Sequence, residues 1–254
     1  MKRSDRITDE IKRWVVAGDL RPGQRLPNEA ELQRLFGMSK GTVREALKAL
    51  EVQGLVTLKT GPNGGARLTE VAFARTFQLL QNHFFFQAVD VDQIYAMRRL
   101  LEPEVAALAA TSISDDDLRE LEAMFHGHAA EAERVPGAAD LDFHDRLALA
   151  CPNVLLRLQC QVLNEMLRRL ATLAAGAVEL EDLGAANHAA HETLLAALRA
   201  REPARARAVM AAHMDEAYSQ VRRLGAAYRQ RLMLERDFDL QLRLAGHAPA
   251  QPRQ

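Results

Sequence analysis

Cysteine is almost missing from this chain of 254 residues: there are two, Cys151 and Cys160, nine apart and in no CxxC arrangement. That spacing excludes a disulfide framework and a thiol redox motif and leaves two packed thiols. Long apolar runs are missing as well. None approaches the roughly 18 residues of a membrane span, and the start Met-Lys-Arg-Ser-Asp-Arg leads into an amphipathic pattern instead of a signal-peptide core. A cytoplasmic protein with no membrane partner is expected. Net charge is nearly absent too, at -1, but the balance hides a segregation: residues 1–70 carry 13 Lys+Arg against 9 Asp+Glu, and residues 71–254 carry 20 against 25. All five lysines precede residue 60 and all eight histidines follow residue 82. With 48% hydrophobic residues the chain is globular, and two domains with different partners are expected, the first suited to a polyanion.

Ile7, Ile11, Trp14 and Val15 recur at helical spacing and predict an amphipathic helix opening near Ser4 and stopped by Gly18. After a Pro22-Gly23 turn, Asn28 and Glu31 form a capping-box start for a short helix with Leu32, Leu35 and Phe36 on its apolar side. The turn Gly37-Met38-Ser39 follows, and with Ser39 as N-cap a third helix buries Val43, Ala46, Leu47 and Leu50. Its other side carries Lys40, Arg44 and Lys48 at i, i+4 and i+8. Such a stripe alone suits a solvated helix face. Here, however, Leu55–Lys59, a Gly-Pro-Asn-Gly-Gly turn and Ala66–Thr69 predict a hairpin directly after it, and a hairpin after a recognition helix is a wing. Arg44 is the best base reader, since its planar fork can donate twice to one guanine; Lys48, farther along, suits a phosphate.

The runs Leu20-Arg-Pro-Gly-Gln-Arg-Leu-Pro-Asn-Glu-Ala-Glu-Leu32, Met38-Ser-Lys-Gly-Thr-Val-Arg-Glu-Ala-Leu47 and Gly54-Leu-Val56 resemble the winged-helix domain of the GntR family of bacterial transcriptional regulators. The resemblance covers about residues 4–69. It implies operator contacts from the start of the recognition helix and the wing tip, hence Ser39, Lys40, Thr42, Arg44 and Thr60-Gly61. One departure is Ala30, which stands where the family often has arginine.

From Val71 onward strand signals vanish. Helices are expected at about 72–88, 91–111, 115–133, 138–150, 153–175, 180–201 and 204–224, with 226–244 extending the last or forming another and a frayed tail from Ala245. The fold expected is mainly α: a winged helix-turn-helix at 1–70, an all-helical bundle at 71–230, and an extension with tail at 231–254. Asp140 and His144, at i and i+4, project from one helix face. His191 and His213 flank the predicted turn Glu202-Pro203 almost symmetrically, so an antiparallel hairpin brings both imidazoles to one height. One carboxylate and three imidazoles make a ligand set for Zn, Ni, Mn or Fe, unlike the oxygen cages of Ca or Mg.

Arg98-Arg-Leu-Leu-Glu102-Pro, Asp140-Leu-Asp-Phe-His144, His191-Glu-Thr-Leu-Leu-Ala-Ala-Leu198 and Ala211-Ala-His213 are similar to the FCD effector domain of the FadR-type GntR subfamily. The resemblance implies that Asp140, His144, His191 and His213 hold a divalent transition metal. It also implies that a small organic acid binds there and that Arg98 contacts its carboxylate. A solvated i, i+4 pair with Glu102 is the bland alternative for Arg98. His188 matches no ligand position and suits the rim; Arg168 and Arg169 have no motif support. The expected function is a ligand-responsive, homodimeric regulator on an inverted-repeat operator. A metal-dependent hydrolase using the Asp/His set lacks an identifiable general base, and a non-specific architectural DNA binder disagrees with the acidic larger domain.

Overall fold

Ile7 and Ile11, one turn apart, bury themselves from helix α1 (Arg3–Ala17), which ends on Gly18. Thr8 on the same side stays satisfied inside by donating its hydroxyl to the Ser4 carbonyl at 3.0 Å. The computed structural model describes residues 2–61, 64–84, 87, 89–128, 138–174 and 183–223. Two units divide between His83 and Phe84.

In the first unit, α2 (Glu29–Phe36) opens on the reciprocal capping box expected: Glu31 N–H donates to Asn28 Oδ1 at 3.0 Å, and Asn28 N–H to Glu31 Oε2 at 2.7 Å. Gly37 ends it with φ of +62°, in the left-handed region that favours glycine. Ser39 then caps α3 (Lys40–Val52), which buries Val43, Ala46, Leu47 and Leu50 as its periodicity predicts. Strands β1 (Val56–Lys59) and β2 (Gly65–Leu68) pair antiparallel, Val56 opposite Leu68 and Lys59 opposite Gly65. This is a winged helix-turn-helix. Two expected core residues differ: Trp14 is 40% exposed and Leu35 66%. The eight-residue α2 packs its Leu32 flank inward against α3, and Leu35 sits beyond that narrow contact. Helix α4 (Phe73–His83) also lies in this unit, past the residue-70 division that charge suggests. Arg75 ties it there by donating from Nη1 to the Glu51 carbonyl at 2.9 Å and to that of Val52, at the end of α3.

The regular elements described in the second unit are all helices: α5 (Val91–Ser112), α6 (Asp115–His128), α7 (Ala138–Leu149), α8 (Val154–Ala174), α9 (Leu183–Arg199) and α10 (Pro203–Arg223). Asp90, Ser114 and Asn153 cap α5, α6 and α8 from side-chain oxygens. Long α5 packs against α7, α8, α9 and α10, and Ala106, Ala109 and Ala110 keep its surface small. Around them close Leu121, Phe125, Phe143, Leu147, Leu198 and Met210. The α9–α10 turn is a Schellman-type stop: Glu202 N–H donates to the Ala197 carbonyl and Arg201 N–H to that of Leu198, both at 3.0 Å. Arg201 supplies the left-handed residue at φ +56°, anchored by its guanidinium on Asp115 at 2.7 Å. Pro203 starts α10, where its missing N–H has no cost. The expected helix at 226–244 and the tail lie outside the described residues.

Candidate metal centre and DNA-contacting surface

Folding back at Arg201 sets His191 on α9 beside His213 on α10, with Nε2 atoms 3.2 Å apart. His144 on α7 brings its Nε2 to 3.1 Å from that of His213 and 3.3 Å from that of His191. One turn earlier, Asp140 closes the group: Oδ1 is 3.4 Å from His191 Nε2 and 3.7 Å from His213 Nε2, and Oδ2 is 3.8 Å from His144 Nε2. All four expected ligands therefore meet. The donor spacing fits a metal, because metal–ligand distances of about 2.0–2.1 Å give a tetrahedral edge of about 3.3–3.4 Å. Three ring nitrogens facing one another cannot all be satisfied by shared protons, and Asp140 Oδ1 is buried without a hydrogen-bond partner. A cation would satisfy all four donors.

Burial lowers the pKa of His213 to about 3, reinforced by neighbouring His144, and His191 is likewise pushed well below the ordinary imidazole value. Both rings are thus neutral, as ligands must be. Phe143 stacks on His191 with centroids 4.0 Å apart, and Phe125 meets it edge-on. His188 is exposed and stacks on Phe125 at 4.3 Å, outside the cluster.

Arg98 is completely buried. Its Nε donates to Glu102, so the i, i+4 pair exists but is not solvated. Glu102 also abuts His144 Nδ1, which leaves that ring's Nε2 lone pair for the cluster. Although burial opposes ionisation, Arg98 and then His144 hold the Glu102 pKa far below the carboxylate range. Burial likewise opposes the Arg98 charge, and Glu102, Tyr95 and Asp140 together raise its pKa. The Nη1 and Nη2 groups have no hydrogen-bond partner among the described residues. By its chemistry, a buried cation with two open donor groups suits a planar anion. Arg168 instead binds Asp142, Asp145 and Glu165, and Arg169 binds Glu165.

On the first unit, Lys40, Arg44 and Lys48 are exposed along α3. Ser39 Oγ accepts from Thr42 N–H at 3.3 Å and shares a hydrogen bond with Thr42 Oγ1 at 2.9 Å. Arg44 donates Nε to both oxygens of Glu29, at 3.0 and 2.9 Å, a contact across fifteen residues that sequence spacing does not reveal. Lys48 Nζ pairs with Glu51 at 2.6 Å, and Glu51 also accepts from Leu58 N–H at 3.2 Å, tying α3 to β1. The hydrogen bond from Lys48 leads in lowering the Glu51 pKa. Thr60 and Gly61 follow the first wing strand, Gly61 with φ of +104°, and Arg25 braces the other side by donating to the Gly64 carbonyl. Arg25 is a wing support that its sequence position does not reveal.

Residues 3–63 match the description "Bacterial regulatory proteins, gntR family", and residues 93–216 match the FCD domain. The HTH-type transcriptional regulator LutR of Bacillus subtilis is 33% identical over 208 residues, 79% of this chain and 92% of that protein. The chain belongs to the GntR family. The Uxu operon transcriptional regulator of Escherichia coli is 28% identical over 162 residues, 58% of this chain and 57% of its own. A solved Streptococcus agalactiae GntR structure superposes with a TM-score of 0.60 at 23% identity, covering 85% of this chain and 99% of that one, which supports the fold. This GntR regulator is a DNA-binding transcriptional regulator and not an enzyme, so the hydrolase reading of the Asp/His set is set aside. No described helix is long and apolar enough to cross a membrane.

Proposed function

We propose that this regulator responds to a small organic acid bound in its FCD domain. In this reading Asp140, His144, His191 and His213 hold a divalent transition metal, Zn, Ni, Mn or Fe, and Arg98 grips the effector carboxylate. The bound metal would supply a fixed positive charge and open coordination positions for effector oxygens. The observation that carries the reading is the meeting of four metal donors with the buried, half-satisfied guanidinium of Arg98, joined to His144 through Glu102.

The DNA head works as a homodimer on an inverted repeat, with Ser39, Lys40, Thr42, Arg44, Lys48, Thr60 and Gly61 facing the operator. Effector binding then shifts operator affinity by favouring one domain arrangement. Elemental analysis of protein purified without chelator should find about one transition metal per chain, and His191→Ala should lose it. Metal content unchanged in that variant, or wild type that binds organic acids while metal-free, would reject the metal-centred reading.

A further inference from the structure

Residues 24–26 run alongside the second strand of the wing. Leu26 N–H donates to the Ala66 carbonyl at 2.9 Å and Leu68 N–H to that of Gln24 at 2.8 Å, which sets Arg25 directly opposite Arg67 in antiparallel register. A pair flanked by its ladder hydrogen bonds, and not joined by them, is the close kind, with Cα atoms about 4.5 Å apart. The two arginines therefore share one side of the sheet, where like charges directly opposite are destabilising. In the β1–β2 register Arg67 opposes Thr57 and Gly65 opposes Lys59, so Lys59 stands on that side as well. Val56, Ala66 and Leu68 are buried on the other.

Arg25, Lys59 and Arg67 are all exposed, and none has a carboxylate partner among the described residues. Both guanidiniums turn to the backbone instead, Arg25 to the Gly64 carbonyl and Arg67 Nη1 to the Gly23 carbonyl at 3.1 Å. Gly65, at φ +122°, makes room for the first, since a Cβ there would lie 3.3 Å from Arg25 Nη2. A neutral carbonyl holds a guanidinium in place and leaves its charge uncompensated. Arg44 and Lys48 on α3 differ: each must leave a carboxylate, Glu29 or Glu51, before it can take a phosphate. The wing face needs no such exchange. It is also continuous with the wing tip, because Lys59 directly precedes Thr60-Gly61. A phosphate lying between Arg25 and Arg67 would replace their mutual repulsion with charge-assisted hydrogen bonds from both. In a DNA-binding regulator, the polyanion at hand is the duplex backbone.

We propose that Arg25, Lys59 and Arg67 form a phosphate-binding face on the wing sheet, separate from the recognition helix, that grips the DNA backbone without reading sequence. Such a face adds affinity and fixes the placement of the wing. The test is fluorescence anisotropy of the full chain over a salt series, on a random-sequence duplex and on an operator selected from a random library. Arg25→Gln and Arg67→Gln should each weaken binding to both duplexes by the same factor. Each lost phosphate contact should lower the slope of log affinity against log salt by about 0.9. Arg67→Lys, which keeps the charge, should keep the slope. Trp14, the chain's only tryptophan, lies in this unit and reports its thermal unfolding. Arg67→Gln should unfold no earlier than wild type, since it relieves the like-charge opposition. Lys59→Gln gives up no hydrogen bond within the chain and carries the same expectation on DNA, so damage to the wing cannot stand in for a lost contact. An unchanged salt slope in folded Arg67→Gln and Lys59→Gln overturns the proposal. So does a loss confined to the operator, which would make these residues base readers. An unchanged slope joined to an altered sedimentation state would give the face to an acidic protein surface instead.

Discussion

Arg98 and His144 rest on the same buried carboxylate: Glu102 accepts from Arg98 Nε with one oxygen and meets His144 Nδ1 with the other. All three side chains are at most 3% exposed. The guanidinium proposed for the effector and the imidazole proposed for the metal are therefore held by one group, and a change at either is felt by the other without any displacement of helices.

Glu102→Gln should accordingly damage both functions. Removing the negative charge leaves Arg98 as an uncompensated buried cation, which costs about 3–5 kcal/mol. Loss of the group behind His144 should also weaken metal binding by about 10–100-fold. Urea unfolding of chelated wild type and variant measures the first effect, and competition with a chromophoric chelator the second. Unchanged metal affinity in a folded variant would show that Glu102 does not orient His144.

Acid should destabilise the metal-free protein early. His213 is depressed from 6.5 to about 3 and His191 in the same direction, both mainly by burial, so between these values the unfolded chain binds more protons than the folded one. Stability then rises with pH across this window and falls as pH drops from about 6.5 toward about 3. Glu102, also depressed, adds a loss of the same sign once pH falls below its ordinary value of 4.5. Urea midpoints measured with chelator from pH 7 to pH 4.5 should fall in wild type and fall less in His213→Gln. Equal slopes would place the titration elsewhere.

Much of this was legible in sequence, for a physical reason. Helical periodicity and caps are local, so the Asn28–Glu31 box, the Ser39 cap and the buried stripe of α3 follow from neighbouring residues. The convergence of His191 and His213 is long-range, yet Pro203 marks the fold-back and equal arms do the rest. What spacing could not show was burial. Arg98 and Glu102 at i, i+4 look like any surface pair, and only the helices packed around α5 make them interior. Phe143 stacked on His191 and Glu29 holding Arg44 are tertiary contacts with no sequence period behind them.

On DNA, Arg44→Ala should weaken operator binding by about 1–3 kcal/mol more than binding to random duplex, because it removes base reading as well as charge. Lys48→Ala should weaken both alike and lower the salt dependence. Fluorescence anisotropy on the two duplexes over a salt series separates the cases. Equal loss on both duplexes for Arg44→Ala would make it a phosphate contact.

The proposed dimer is testable from the surface of the second unit. Leu100 on α5 and Val154 and Leu155 at the start of α8 are 72%, 60% and 72% exposed, although large aliphatic side chains gain by leaving water. Singly such residues need no explanation, but three on helices that pack together suit a face covered by a second copy. A two-fold pair would present two recognition helices, and a helix reading only a few base pairs needs that doubling for a specific site. Leu100→Glu with Leu155→Glu should place charges in the interface while leaving the protomer core untouched. Sedimentation should then report a monomer for the variant and a dimer for wild type. Operator affinity should drop toward the random-duplex level, while single-protomer binding of zinc persists. A variant that remains dimeric would move the interface to another face, and a wild-type footprint without dyad symmetry would reject the two-fold arrangement.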